Sequence, residues 1–179
     1  MGDDKQENGD LALPEAPKLS NGLIELNPAR VHQINLTEVA EAEPDFRENF
    51  EGKEGDEVEG IRWVILPQGD RRPVGFAELL VSDAAAGTLE AGYWVMSSQR
   101  RNGFAEAAMR LIADWAGDHT SATEIRLEIK TSNDASRALA EKLGYEHRGV
   151  RKPPFPRPQH ELRELYSLGL EKETPEREI

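Results

Sequence analysis

The stretch that most constrains the fold runs from Gln99 to Trp115, where a glycine-containing turn leads directly into a strongly periodic helix. Its apolar residues recur at helical spacing and so share one face: Phe104, Ala108, Leu111, Ile112 and Trp115. We expect this helix to end near Gly117. Backbone N–H groups and the positive end of the helix dipole converge at residues 100–105, where Gly103 has no Cβ to hold a phosphate away. The stretch predicts a phosphate-binding turn, although an ordinary strand-to-helix turn with two solvated arginines has the same pattern.

The segments on either side of this turn have the two-residue period of β-strands. Three strands are predicted before it, at 61–66, 74–81 and 88–96. After the helix, residues 124–130 alternate polar and apolar side chains, and a strand–helix–strand crossover predicts that they lie parallel to 88–96. A second helix follows from Asn133 to Gly144, and 145–150 and 162–170 are two closing strands. The order predicts an α/β (α+β) fold with a mixed, mostly antiparallel sheet and flanking helices.

The ends of the chain and the segment before the sheet are weakly patterned. Residues 1–20 are acidic and nearly free of aromatic side chains, which predicts a disordered leader. Within a single domain at 21–170, a short strand is expected at 23–26 and a helix-like segment from Asn27-Pro28 to Leu36. Residues 41–60 resemble a mobile loop or short helix docked by Phe46 and Phe50, and 171–179 form a polar tail.

Charge and composition exclude several classes of function. The chain has 22 basic and 34 acidic residues and a net charge of −12, which disfavours nucleic acid and anionic lipid as partners and favours a cationic acceptor. There is no cysteine, and the four histidines show no metal-ligand spacing, so no metal site is predicted. Neither a membrane-spanning run nor a signal peptide is recognisable, so we expect a soluble cytoplasmic protein.

Three motifs in order resemble those of the GNAT N-acetyltransferases, and the similarity covers about residues 61–170. It is strongest to the group that includes the ribosomal-protein N-terminal acetyltransferases. The Glu-x-Gly-Tyr-Trp strand of that group stands here at 90–94, and its Arg-Gly-x-Gly-Tyr-Ala turn stands at 100–105, with Arg101 in place of the first glycine. The Asn-x-x-Ser helix that ends in Glu-Lys-x-Gly-Phe stands as Asn133 and Ser136 followed by Glu-Lys-Leu-Gly-Tyr at 141–145.

The resemblance implies a GNAT fold that binds acetyl-CoA in a gap where the parallel strands splay apart. Backbone N–H groups of the turn would hold the pyrophosphate, with two arginines adding charge, and the pantetheine arm would pair with the end of the third strand like an added strand. The residues that would bind the cofactor are Val95, Met96, Arg100, Arg101, Asn102, Gly103, Phe104, Ala105 and Asn133.

The implied reaction transfers an acetyl group to a primary amine, which needs a base and a way to release the thiolate. The resemblance implies that Glu90 is the base, because in GNAT enzymes the base often lies on the strand before the phosphate turn and Glu90 matches the glutamate of the Glu-x-Gly-Tyr-Trp motif. Alternation also places Glu90 on one strand face with Gly92 and Trp94, where partial burial would raise its pKa. Glu78 on the neighbouring strand is the alternative, and a structural role for Glu90 stays open. Many relatives carry a tyrosine acid at the position of Ala140. Water, Ser136 or the ammonium proton therefore remain as proton sources, and Ser136 is the catalytic candidate of this chain.

The predicted function is that of an N-acetyltransferase acting on a protein N-terminus or a small cationic amine, as a monomer or homodimer. The acceptor would be reached past the basic, proline-rich segment 151–158, whose alternative interpretation is a solvated connection between strands. A catalytically degenerate domain that binds CoA or a protein partner is the main alternative, because the region between Asn27 and Gly60 is short and Ala140 replaces tyrosine. A nucleotide-binding protein that uses the same turn is disfavoured, because no P-loop or dinucleotide signature follows a strand.

Overall fold

The computed structural model describes residues 11–28, 59–152 and 161–171, and these form one eight-stranded sheet with helices. Strands such as β3 and β6 alternate buried and more exposed side chains, as the period in the sequence predicts. The strands are β1 (Leu19–Ser20), β2 (Ile24–Pro28), β3 (Gly60–Pro67), β4 (Gly75–Asp83), β5 (Thr88–Val95), β6 (Glu124–Lys130), β7 (Glu146–Arg151) and β8 (Arg163–Gly169).

The sheet has the order β1-β2-β3-β4-β5-β6-β8-β7, and every neighbouring pair is antiparallel except β5 and β6. This confirms the predicted mixed sheet with one parallel pair. The parallel ladder contains only three residue pairs and ends at Glu90, which is opposite Arg126. Beyond Glu90 the two strands are no longer paired, so a gap opens beside the second half of β5.

Two helices of the described residues connect these strands: α1 (Phe104–His119) and α2 (Asp134–Lys142). The apolar face of α1 is buried, and its Trp115 meets Trp63 of β3 edge to face at 5.7 Å. The helix does not stop at Gly117 as predicted, because its last carbonyls find partners further along. The hydroxyl of Thr120 donates to the carbonyl of Ala116 at 2.7 Å, and the backbone N–H of Thr120 donates to the same oxygen.

The second half of the predicted disordered leader is packed against the core. Leu11 is 3% exposed, and Leu13 and Ala16 pack against the same cluster of apolar residues. The indole N–H of Trp63 donates to the carbonyl of Pro17 at 2.8 Å, which satisfies a buried donor. The prediction of disorder is therefore wrong for residues 11–20, and residues 1–10 lie outside the described residues.

Only the first two residues of the helix-like segment predicted from Asn27 to Leu36 belong to the described residues. Asn27 and Pro28 belong to strand β2, where they pair with Val64 and Trp63, and do not begin a helix. The rest of the predicted helix-like segment lies outside the described residues, as do Phe46 and Phe50. Within the described residues, no helix has the length and apolarity that a membrane span requires, and no cluster of side chains is arranged to hold a metal ion.

Candidate functional site

The gap beside β5 exposes backbone groups that have no partner strand. The N–H of Met96 donates to the carbonyl of Val74 at 2.9 Å, and this fixes which residues of β5 face β4. Because successive residues of a strand face opposite neighbours, the backbone groups of Tyr93 and Val95 face the gap. Val95 therefore turns its backbone groups toward the gap, although its carbonyl also accepts from Arg100. The backbone of Met96 is engaged within the chain, because its N–H is bonded to Val74 and its carbonyl accepts from Gln99 at 2.8 Å.

A short turn connects the end of β5 to α1 through a 3-10 helix at Ser97–Gln99. Two of its residues have left-handed backbone, Arg101 with φ of 66° and Gly103 with φ of 78°. The backbone N–H groups of residues 101–106 donate to no oxygen of the described part of the chain. These groups gather at the N-terminus of a sixteen-residue helix, which is the arrangement that binds a phosphate.

The polar side chains of this turn fold back on its own backbone. Arg100 donates through Nε to the carbonyl of Val95 at 3.0 Å, and Asn102 donates through Nδ2 to the carbonyl of Gln99 at 3.1 Å. Both contacts hold the loop in the shape that gathers its N–H groups. Arg101 is exposed at the same turn. Arg100 and Asn102 therefore have a structural role in the turn, whatever further contact they make with a ligand.

An acidic residue in the first turn of α1 is neutralised by two cations. Glu106 accepts from Lys142 of α2 at 2.5 Å and from Arg110 at 3.2 Å. The hydrogen bond from Lys142 is the main cause that lowers the pKa of Glu106. The Glu106–Lys142 contact also joins the start of α1 to the end of α2.

The start of α2 brings Ser136 to β5. Asn133 caps the helix, since its Oδ1 accepts from the N–H of Ser136 at 3.1 Å. The Ser136 hydroxyl accepts a hydrogen bond of 3.0 Å from the phenol of Tyr93, which crosses from β5. Because the capping bond uses the side-chain oxygen of Asn133, a contact of this residue with a cofactor would come from its amide nitrogen.

The opposite face of the sheet contains the two candidate bases. Glu78 is 4% exposed and pairs with Arg62 at 2.7 Å, and its carboxylate lies over Gly92. Glu90 is half-buried on the same face. Because the Glu78 carboxylate is engaged by the guanidinium of Arg62 and shielded from solvent, the geometry argues against Glu78 as the base.

The two faces of the sheet separate the candidate catalytic groups. Arg62, Glu78 and Gly92 form one row across three strands, and Trp63, Ala77 and Tyr93 form the next row, on the opposite face. Helix α1 covers the row of Trp63, and Ser136 of α2 reaches Tyr93 in the same row. Glu90 therefore lies on one side of the sheet and Ser136 on the other, at the gap where β5 and β6 separate.

Three residues at this site were not identified in the sequence. Arg62 and Tyr93 form contacts with residues 16 and 43 positions away, which no local pattern reveals. Tyr145 is 4% exposed, and its hydroxyl has no hydrogen-bond partner among the described residues. The available signal was the position of this tyrosine, where the related motif has phenylalanine.

Only the start of the basic segment 151–158 belongs to the described residues, and Arg151 there is the last residue of β7. Arg151 forms an ion pair with Glu128 of β6, whose side chain is 5% exposed. This contact favours a structural role for Arg151. Residues 153–160, which include Arg157, lie outside the described residues, and the proposed passage of the acceptor past this segment stays a prediction.

Comparison with known proteins agrees with this geometry. Residues 21–146 match the family described as the acetyltransferase (GNAT) domain. No curated protein sequence matches the chain.

Solved structures share the fold. A probable GNAT-family acetyltransferase from Chromobacterium violaceum superposes with a TM-score of 0.72 at 16% identity and covers 89% of each chain. RimJ from Mycobacterium smegmatis, in complex with CoA-disulfide, has a TM-score of 0.63 at 18% identity over 90% of this chain and 86% of its own. The ribosomal-protein α-N-acetyltransferase RimL, bound to coenzyme A, has a TM-score of 0.64 at 13% identity over 86% of this chain and 98% of its own. With a family match over most of its length and this fold, the chain belongs to the GNAT acetyltransferase family.

Proposed function

We propose that the protein is an N-acetyltransferase that transfers the acetyl group of acetyl-CoA to a primary amine. The observation that carries this proposal is the continuity between the gap beside β5 and the turn at residues 100–105. A ligand with an amide-containing arm and a pyrophosphate would find backbone groups of Tyr93 and Val95 along the gap and six N–H groups at its end. Acetyl-CoA has this combination, and GNAT relatives are known in complex with coenzyme A.

The turn at α1 fits a pyrophosphate by shape as well as by charge. Among the described residues, a Cβ built on Gly103 would contact Leu23 alone, at 3.7 Å, so these residues leave room beside the glycine. The exposed Arg101 supplies positive charge, and the pairing of Glu106 with Lys142 removes a negative charge that would repel phosphate. Phe104 and Ala105 contribute their N–H groups, as the first residues of the helix.

Glu90 would accept the proton of the acceptor ammonium, directly or through a water. Glu90 is the last residue of β5 that pairs with β6, so its carboxylate would stand beside the opening of the gap. Acetyl-CoA supplies an activated acyl group, and a neutral amine is the form that attacks it. Ser136 reaches the gap from the other face and would donate a hydrogen bond to the departing sulfur.

The acceptor would be a cationic amine, a protein N-terminus or a small molecule. Glu90, together with Glu78 in its ion pair with Arg62, lies on the face of β4 and β5 opposite α1 and α2, and the whole chain has a net charge of −12. Such a field attracts a positively charged acceptor and repels polyanions.

The test measures CoA release over a panel of N-terminal peptides, polyamines, aminoglycosides and amino acids. Turnover on at least one amine is the expected result. Binding of acetyl-CoA without turnover on any of them would support the degenerate domain instead.

The cofactor turn is tested separately with Gly103→Glu, which places bulk and negative charge where the phosphates would lie. Gly69→Glu is the matched control, because Gly69 has φ of 79° against 78° for Gly103 and lies in the turn after β3. Both variants strain the backbone in the same way. Only Gly103→Glu should abolish the thermal stabilisation by CoA, and an unchanged CoA affinity in that variant would contradict the assignment.

A further inference from the structure

Two hydroxyl groups meet on the helix side of β5, those of Tyr93 and Ser136, and a third, that of Tyr145, is buried in the core after the end of α2. The proposed chemistry uses only that of Ser136. Tyr93 bonds to Ser136 at 3.0 Å, and Tyr145 lies in the same buried cluster with no hydrogen-bond partner among the described residues. A buried polar group without a partner is rare in folded proteins and calls for an explanation. An absent ligand that completes its hydrogen bonds is one such explanation.

The end of α2 explains how Tyr145 comes to this place. The N–H of Tyr145 donates to the carbonyl of Ala140 at 3.0 Å, the N–H of Gly144 donates to Glu141 at 3.0 Å, and Gly144 has φ of 85°. This is a Schellman motif, in which the side chains at the positions of Tyr145 and Ala140 ordinarily pack together. The small side chain of Ala140 therefore leaves room that the ring of Tyr145 can occupy.

The direction of the bond between Tyr93 and Ser136 follows from burial. A phenol has one hydrogen to donate, and leaving it unbonded inside a protein is costly. Ser136 provides the acceptor for Tyr93, and its own hydrogen is then available for another partner. Burial raises the pKa of Tyr93, so the phenol keeps its proton and remains the donor through the neutral and mildly basic range.

We propose that Tyr93 is a positioning residue that turns the Ser136 hydroxyl hydrogen toward the sulfur of coenzyme A, with the Tyr145 hydroxyl as a second donor to the same ligand. The inference rests on the proposed function. When the C–S bond breaks, sulfur keeps the electron pair and leaves as a thiolate that accepts these hydrogen bonds. The proton of the amine goes to Glu90, and solvent protonates the released thiolate. The first turn of α2 adds its dipole, which favours a thiolate.

The test compares the affinities for CoA and desulfo-CoA by calorimetry between pH 6 and 9. When the hydroxyl groups of Ser136 and Tyr145 donate to sulfur, the ratio of the affinity for CoA to the affinity for desulfo-CoA rises with pH, because the thiol ionises to a thiolate. Tyr93→Phe and Ser136→Ala should each lower the ratio at pH 9 about tenfold, and the double variant should lower it no further, because both remove one oriented donor. Tyr145→Phe should lower it about threefold.

Tyr166→Phe is the matched control, since Tyr166 is a buried tyrosine whose hydroxyl bonds to Glu141 at 3.3 Å, away from β5. It should leave the ratio unchanged. The inference is overturned if Tyr93→Phe behaves like Tyr166→Phe, or if the effects of Tyr93→Phe and Ser136→Ala multiply. A sulfur-dependent ratio without turnover on any amine would remove the proposed function but support the hydrogen bonds to sulfur. Absence of CoA binding would overturn both.

Discussion

Replacing Gly92 by alanine tests whether the buried ion pair between Glu78 and Arg62 needs the space that Gly92 leaves by having no side chain. A Cβ at this position would lie 3.1 Å from Oε1 and 3.3 Å from Cγ of Glu78. Comfortable contacts with carbon lie at about 3.5 to 4.0 Å, so Glu78 would have to move by a few tenths of an ångström. Its bond of 2.7 Å to Arg62 opposes that movement.

The size of the effect follows from two opposing contributions. Crowding a packed site costs about 1 to 3 kcal/mol, and replacing glycine by alanine regains about 0.4 to 1 kcal/mol by restricting the unfolded chain. We expect a net loss of about 1 to 2 kcal/mol in the free energy of unfolding. For a protein of this size that lowers the Tm by about 2 to 8 °C.

The assay is thermal unfolding, with Gly169→Ala as the matched control. Gly169 is also a strand glycine, and a Cβ built on it meets no atom within 4 Å. The control should keep or slightly raise the Tm. Equal Tm values for the two variants would refute the argument that Glu78 occupies the space above Gly92. A Glu78→Asp background should reduce the penalty, because a shorter side chain can withdraw.

The remaining predictions concern single side chains around the site. Glu90→Gln should lower turnover about 10²-fold and leave CoA affinity intact, and wild-type turnover of this variant from pH 6 to 9 would falsify the base assignment. Glu78→Gln should instead lower the free energy of unfolding by about 3 to 5 kcal/mol, because it breaks a buried ion pair. Arg101→Gly should raise stability by about 1 kcal/mol in chemical unfolding by relieving its left-handed backbone, while CoA affinity falls with the lost charge; lower stability would show that the backbone is not strained. The pKa of Glu106 is lowered chiefly by Lys142, so this contribution to stability is complete above the ordinary pKa of 4.5 and is lost as the pH falls through the lower folded value. Lys142→Met should therefore reduce the Tm at pH 7, and the difference should shrink as the pH falls below 4.5; a pH-independent difference would contradict this linkage.

The sequence predicts the parts of this fold that depend on local patterns. Alternation located the strands, and the glycine of the turn with the apolar face of α1 located the candidate phosphate site. Contacts between distant segments could not be predicted in this way. The indole of Trp63 and the carbonyl of Pro17 are 46 positions apart, and their bond, with the packing of Leu11 against the core, fixes a segment whose composition resembles disorder.

In the candidate site too, local patterns predict some features, and contacts between distant segments determine the others. The motif at 90–94 places Glu90 and Gly92 on one face because strand alternation is a local rule. The choice between Glu78 and Glu90 needed the register of β3 against β4, which brings Arg62 opposite Glu78. The contact between Tyr93 and Ser136 depends on how α2 packs against β5, which local patterns do not predict. The one sign of the hydroxyl groups in the sequence was the tyrosine after Gly144.

The short parallel ladder has a consequence for how the molecule holds together. Only three residue pairs connect β5 to β6, against eight between β4 and β5 and seven between β6 and β8. The sheet is thus two antiparallel ribbons joined along a brief seam, and α1 is the covalent link that spans them. A ligand that lies in the gap would extend the seam and act as a structural component as well as a reactant. Binding would then stiffen the junction between the ribbons, so part of the affinity for such a ligand would be spent on ordering the protein itself.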